Sequence, residues 1–356
     1  MTRTGSIGIL TFHRCINYGS YWQARCLAEG LRSRGERVEL LDHDCGEVNL
    51  AEWRCSLQPK LPQRSTRKEL RQYKSKTRRF FDAWRHLPRS EAFPLERPEA
   101  AGPYDAIVVG SDEVWNFRHP WYRGKPIFFG AGLQAERLVS YAASFGNHDA
   151  HEGVHPGWSE RLRRFDAISV RDANSRSLVR DATGMDPELV LDPCLQWPEI
   201  ARAERMDHEK PYAIIYGHGL PWWLVKRVRN WADQTGTHLI SLGYSNEWAD
   251  EQRIGEGPLE FARWMAGARA VVTNFFHGCV FALLNGKPFV ASPSDYRFNK
   301  IRDLTAKLEA TDRIVHPDVT PAHFAALMAQ PVGEQVERRI RDYRLRSLEY
   351  LDAALS

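Results

Sequence analysis

The chain has 356 residues, 43% apolar and 26% charged, with a net charge of +4. That length accommodates two domains with separate cores, and the composition is that of a soluble globular protein. No apolar run approaches the roughly 18 residues of a membrane span, and Ile7 to Phe12 is too short for a signal peptide, so a cytoplasmic location is expected. Six cysteines form no CxxC pair and no zinc spacing, which argues against a disulfide framework or a structural metal. The modest positive charge suits an anionic small substrate or an acidic membrane surface and does not itself indicate nucleic acid.

SIGILTF reads as a buried strand, and a helix from about Ser20 to Ser33 follows with Ala24, Leu27, Ala28 and Leu31 on one face. Gly35 ends that helix and RVELLD supplies a second strand, a βαβ opening without the GxGxxG nucleotide fingerprint. Asp42 and Asp44 flank His43 in a DxD pattern, which in some sugar transferases holds a metal with a nucleotide diphosphate. Three residues match that pattern readily by chance, and no metal site is expected. Arg64 to Arg85 carries nine Lys and Arg among Leu70, Tyr73, Phe80, Phe81 and Trp84, predicting a basic amphipathic helix. Such a helix is either a solvated face over an apolar stripe or a contact for an anionic membrane or lipid-linked phosphate.

YDAIVVGSDEVWN is a strand whose end turns at Gly110, Ser111 and Asp112, on the edge where open α/β sheets place ligands. Asp112 reads either as a base or as a cap of the following turn. RLVSYAASFG is another strand, and AISV leads to Arg171 and Asp172, with Asp172 placed to cap a helix. Arg171 would project from the same edge, where a guanidinium can grip a carboxylate or phosphate with two hydrogen bonds. PELVLDP closes the first domain.

PYAIIYGHG begins a second α/β unit, followed by a Trp-rich helix, the strand HLISLG and a helix from about Leu259 to Ala266. Then comes ARAVVTNFFHGCVFALLNGKPFV, from Ala268 to Val290, which reads as strand, helix, strand. Thr273 or Asn274 is the expected N-cap, so the next N–H groups form a small anion site with His277 in the first turn. His277 is either a proton donor there or a packing residue. Helices follow from about Asn299 to Glu309, at Thr320-Pro321, and from about Glu334 to Ala354.

Two consecutive α/β domains with a helical tail resemble the GT-B arrangement: two doubly wound, Rossmann-type domains facing across a cleft, with a C-terminal helix. The expected boundaries are 1–205 (acceptor side, with basic helix 64–86), 206–332 (donor side) and 333–356. GILTFHRCINYGSYWQARCL, VVGSDEVWN, SYAASFG, SVRDANS, LVLDP and the Ala268–Val290 stretch with RFNKIRDL occur in the order of the polysaccharide pyruvyl transferase family, which the chain resembles.

The resemblance implies transfer of the pyruvyl group of phosphoenolpyruvate to hydroxyls of a sugar in a polysaccharide or lipid-linked glycan precursor. A pyruvate ketal forms and phosphate is released; phosphoenolpyruvate is a donor substrate, and no cofactor or metal is expected. By the same resemblance His277 is the proton donor, Arg171 binds the donor, and Asp112 and Asn17 line the first-domain side. Asn274, Phe276 and Gly278 complete the motif around His277. In some relatives a basic residue stands where this chain has Phe275, and Arg297 or Lys300 is the expected replacement. Two other readings compete: a GT-B glycosyltransferase using a nucleotide sugar, and a non-catalytic assembly protein docked at a membrane surface by the basic helix.

Overall fold

The computed structural model describes residues 5–356. The chain divides into two compact α/β units, both discontinuous in sequence. The first comprises the chain through Ala51, His86–Ile200 and Ile340–Ser356; the second comprises Glu52–Arg85 and Ala201–Arg339.

In chain order, β1 (Ser6–Leu10), α1 (Tyr18–Arg32), β2 (Arg37–Leu40) and β3 (His43–Asp44) open the first unit. The unit boundary falls within α2 (Gly46–Leu57), and α3 (Arg67–Trp84) lies in the second unit. The first resumes with β4 (Phe93–Pro94), β5 (Pro103–Asp112), β6 (Gln134–Ala143), α4 (Pro156–Leu162), β7 (Ser169–Val170), α5 (Ala173–Thr183), β8 (Glu188–Leu189) and α6 (Pro193–Gln196). After α7 (Pro198–Ala201) the second unit runs through β9 (Tyr212–Tyr216), α8 (Trp222–Thr235), β10 (His238–Leu242), β11 (Glu251–Arg253), α9 (Pro258–Gly267), β12 (Ala270–Thr273), α10 (Phe276–Leu284), β13 (Phe289–Ala291), α11 (Asp295–Lys307) and α12 (Pro321–Ala329). α13 (Glu334–Leu355) begins in the second unit and ends in the first. Among the described residues no helix is long and apolar enough to cross a membrane.

The first unit's main sheet has the order β2-β1-β5-β6-β7-β8 and the second unit's β11-β10-β9-β12-β13, every pairing parallel. Parallel sheets covered on both faces need near-continuous apolar strands, and YAIIY of β9 and AVVT of β12 are buried throughout. Strand order reverses direction between β1 and β5 in the first sheet and between β9 and β12 in the second. At such switch points the loops diverge and leave a crevice at the strands' carboxyl ends.

Three expectations are corrected. The basic helix was expected in the first domain, but α3 packs in the second unit, because its apolar stripe and one lysine are spent there. Tyr73 accepts a hydrogen bond from Ser245 N–H at 3.2 Å, Lys76 Nζ donates to Gly243 O at 3.0 Å, and Arg79 pairs with Glu256 at 2.9 Å. The C-terminal helix does not form a separate unit. Ser347 Oγ accepts from Leu191 N–H, Arg344 donates to Leu195 O and Tyr350 donates to Ser140 O, which ties residues from Ile340 onward into the first unit. The N-cap of α10 is Phe275, not Thr273 or Asn274, since the Thr273 hydroxyl donates to Tyr216 O at 2.6 Å and accepts from Phe275 N–H at 3.0 Å.

Gly278 lets α10 start directly on the end of β12, for a Cβ there would lie 2.1 Å from Thr273 Oγ1 and 2.6 Å from Thr273 Cβ. Gly278→Ala is therefore expected to destabilise the protein by about 1–3 kcal/mol through overpacking. Chemical denaturation measures this, and unchanged stability would show that the helix start can shift freely.

Lys76 is 3% exposed, and burial pushes its ammonium down to about 7 from 10.5. Between those values the unfolded chain binds the proton that the folded chain releases, so this residue's contribution makes stability rise with pH across that window and fall as pH drops toward 7. Relative to Lys76→Met, the wild type should gain stability steadily from pH 7 to 10.5. Parallel denaturation curves at all pH values would contradict that environment for Lys76.

Candidate active site

At the first switch point β5 ends on Asp112, whose φ of 79° is a left-handed conformation that a non-glycine residue adopts at an energetic cost. Its carboxylate is held on several sides. Oδ2 accepts from Ser20 Oγ at 2.7 Å, and Oδ1 accepts from Glu113 N–H at 2.9 Å and from Arg171 Nη2 at 3.2 Å. Arg171 follows β7 with its side chain 2% exposed, and its Nη1 donates to Asp192 Oδ2 at 3.3 Å. Burial alone would lower the Arg171 pKa, but the facing Asp112 and Asp192 carboxylates raise it, so the guanidinium is held charged.

Asp192 also caps α6 through Cys194 N–H, and Asp172 caps α5 through Ser175 N–H. Asn17 is the N-cap of α1, its Oδ1 accepting from Gly19 N–H at 2.8 Å and Ser20 N–H at 3.4 Å. Asn17, Asp112 and Arg171 thus belong to one network, joined through Ser20 and extended by Asp192. The DxD residues are engaged elsewhere. Asp42 faces His13 Nε2 at 2.8 Å, Arg14 Nε at 2.7 Å and Arg89 Nη1 at 3.1 Å, while Asp44 accepts from Arg14 and Asn49. Burial opposes ionisation of Asp42, yet the bonds to His13 and Arg14 hold its carboxyl well below the usual range.

At the second switch point the loop after β12 carries Asn274, Phe275, Phe276 and His277. Asn274 Nδ2 donates to His218 O at 2.8 Å, joining this loop to the one after β9. Phe276 and His277 are the first two residues of α10, both buried, with ring centroids 5.1 Å apart. Phe275 packs against Tyr216, Tyr244 and His218 at 4.9, 5.0 and 5.6 Å between ring centroids. The Arg297 guanidinium lies 4.3 Å from the centroid of the Phe275 ring. A cation thus stands on the face of this aromatic ring. Lys300, one turn later on α11, is buried and its Nζ lies 5.3 Å from the Tyr296 ring.

Two further cations act here that sequence reasoning did not single out. Lys76 Nζ lies 4.4 Å from the Tyr244 ring centroid, and Lys60 Nζ donates to Ser245 O at 3.3 Å and faces Glu69 at 3.4 Å. Their charge converges on His218, whose pKa is pushed down to about 4 by burial first and then by Arg297, Lys60 and Lys76. At neutral pH the imidazole is therefore neutral, and the positive field that adds to the effect of burial is suited to an anion. Lys76 had one local signal: it shares the helical face of Tyr73 and Phe80. His218 had another, the GHG that directly follows β9.

A family model described as polysaccharide pyruvyl transferase matches residues 17–296. Among curated proteins none matches the chain by sequence. Among solved structures, S. aureus MnaA in a co-structure with UDP is 10% identical, with 96% of this chain and 97% of that chain covered at a TM-score of 0.51. Methanocaldococcus jannaschii UDP-GlcNAc 2-epimerase in complex with UDP-GlcNAc and UDP is 12% identical, with 94% and 98% covered and a TM-score of 0.51. At such identities the likeness establishes the fold alone, a GT-B-like α/β architecture. The extent of the family match goes further: the chain is a transferase and belongs to the polysaccharide pyruvyl transferase family.

Proposed function

We propose that the protein transfers the pyruvyl group of phosphoenolpyruvate to two hydroxyls of a sugar in a polysaccharide or lipid-linked glycan precursor. The observation that carries this reading is the Arg297 guanidinium on the Phe275 ring, with Lys76 on Tyr244 and Lys60 at Ser245 in the loop after β10. Phosphoenolpyruvate brings about three negative charges near neutral pH, and cations with oriented N–H donors complement its carboxylate and phosphate.

We assign donor binding to Arg297 rather than to Arg171, because the Arg171 guanidinium is already enclosed by two carboxylates. In this scheme His277 delivers a proton to the C3 methylene, turning it into a methyl group and leaving a cation-like centre at C2. An acceptor hydroxyl adds at C2 and loses its proton. The C2–O bond to phosphate breaks, phosphate departs with the electron pair, and a second hydroxyl closes the ketal with loss of its proton. Asp112 is the proposed acceptor of a hydroxyl proton, and Arg171, paired with it, fixes its orientation. The outward basic face of α3, with Arg67, Arg71, Lys74 and Arg78 exposed, supports peripheral contact with anionic headgroups or a lipid-linked acceptor.

Phosphate release from phosphoenolpyruvate, measured against a panel of free and lipid-linked sugars, tests the proposal. His277→Ala is expected to lower kcat by about 10²- to 10⁴-fold, the usual contribution of a positioned acid. Arg297→Ala is expected to raise KM for phosphoenolpyruvate by about 10- to 100-fold with a smaller change in kcat, as for loss of a charge-assisted contact. Near-normal turnover in His277→Ala would remove that residue from the proton transfer. An unchanged KM in Arg297→Ala would move the donor away from Phe275.

A further inference from the structure

A second cluster of chemistry-bearing side chains lies in the same unit, near the amino-terminal edge of its sheet. His238 opens β10 in register with Tyr212 of β9, and Glu251 opens β11 opposite Ile240 of β10. Ile240 is two residues from His238, so His238 and Glu251 fall on one face of the sheet. His208, from the segment before β9, completes the group with its ring stacked on His238 at 5.3 Å between centroids and 25° between planes.

The donor atoms converge on a single point. His208 Nε2 and His238 Nε2 lie 3.2 and 3.3 Å from the same Glu251 Oε2, and one ligand atom from each of the three residues lies within 4.8 Å of the others. A tetrahedral ion with bonds of about 2.0–2.1 Å separates its ligand atoms by about 3.3 Å, so both separations match edges of such a polyhedron. The outer contacts are arranged accordingly. His208 Nδ1 lies 2.9 Å from Lys210 O and 3.1 Å from the Lys210 N–H; the tautomer in which Nδ1 donates to the carbonyl leaves the Nε2 lone pair available for a metal, and the one in which Nδ1 accepts from the N–H belongs to the metal-free state. His238 Nδ1 faces Asp250 Oδ2 at 3.7 Å, and Arg253 engages Glu251 through Oε1, the oxygen turned away from the imidazoles. Beside the group is a cavity of about 990 Å³ whose lining includes His208, His238, Arg205, Lys210 and Arg253. It gives room for a further ligand among side chains of both signs, since Asp207 and Glu209 line it as well.

We propose that His208, His238 and Glu251 bind a divalent transition-metal ion, Zn2+ foremost, with an open coordination position facing this cavity. Two imidazoles with one carboxylate are a donor set suited to borderline ions rather than to Mg2+ or Ca2+. The site stands apart from the cation cluster at the opposite, carboxyl edge of the same sheet, and it does not depend on the reaction proposed above. The same side chains could instead form a metal-free cluster in which both histidines donate to Glu251, and the experiment separates these two states.

Full-length protein stripped with a chelator is titrated with Co2+, followed by its visible d–d absorption, and then with Zn2+ in competition. One equivalent per chain is expected, displaced by Zn2+, with affinity weakened more than about 100-fold in His238→Gln and in Glu251→Gln, beyond the loss typical of an outer-sphere change. His208→Gln provides a third variant, and far-ultraviolet circular dichroism confirms which variants are folded. Absence of stoichiometric binding by the wild type, or undiminished binding in the folded variants, would overturn the site and leave the hydrogen-bonded cluster.

Discussion

The second unit depends on how it accommodates buried positive charge. An ammonium removed from water loses several kcal/mol of hydration unless polar or aromatic groups replace it. For Lys76, Gly243 O and the face of Tyr244 replace only part of that hydration, which is why burial still lowers its pKa, and Arg297 lies on Phe275 in the same aromatic group. The cations are thereby concentrated at the carboxyl ends of β9, β10 and β12, where their field adds to the burial that keeps His218 neutral. Charge that is costly to bury without a ligand becomes favourable when a small polyanion supplies the opposing charge.

The first unit uses the opposite balance at the corresponding place in its sheet. Arg171 is enclosed by Asp112 and Asp192, and Asp112 is further tied to the start of α1 through Ser20. Removing one member of a buried ion pair strands the other, so this network is better built for holding geometry than for exchanging ligands. Two switch points of the same topology therefore carry different chemistry: a carboxylate-rich ion-pair network in one unit and a cluster of cations in the other.

Much of this was legible from local pattern. The buried apolar runs that become β1, β5, β9 and β12, the Asp172 cap and the position of His277 at the start of a helix all follow from residues within a few positions of one another. The unit boundaries did not, because α3 and α13 take their places through partners far away in sequence, such as Ser245 for Tyr73 and Leu191 for Ser347. The cap of α10 was displaced by a hydroxyl that found Tyr216 O across the sheet. Phe275 looked like the loss of a cation, and Arg297 was one of two residues expected to supply it. The contact itself depends on the packing of α11, which spacing does not reveal. Lys76 was hidden in a run of similar charges, distinguished only by sharing a face with Tyr73 and Phe80.

The central claim is that the second unit's cation cluster receives phosphoenolpyruvate rather than a nucleotide sugar. Calorimetric titration of the intact protein with phosphoenolpyruvate, and separately with UDP and UDP-GlcNAc, tests it most directly. The account predicts saturable binding of phosphoenolpyruvate that weakens with ionic strength, and none of the nucleotide ligands. Saturable binding of UDP or UDP-GlcNAc with no response to phosphoenolpyruvate would contradict it.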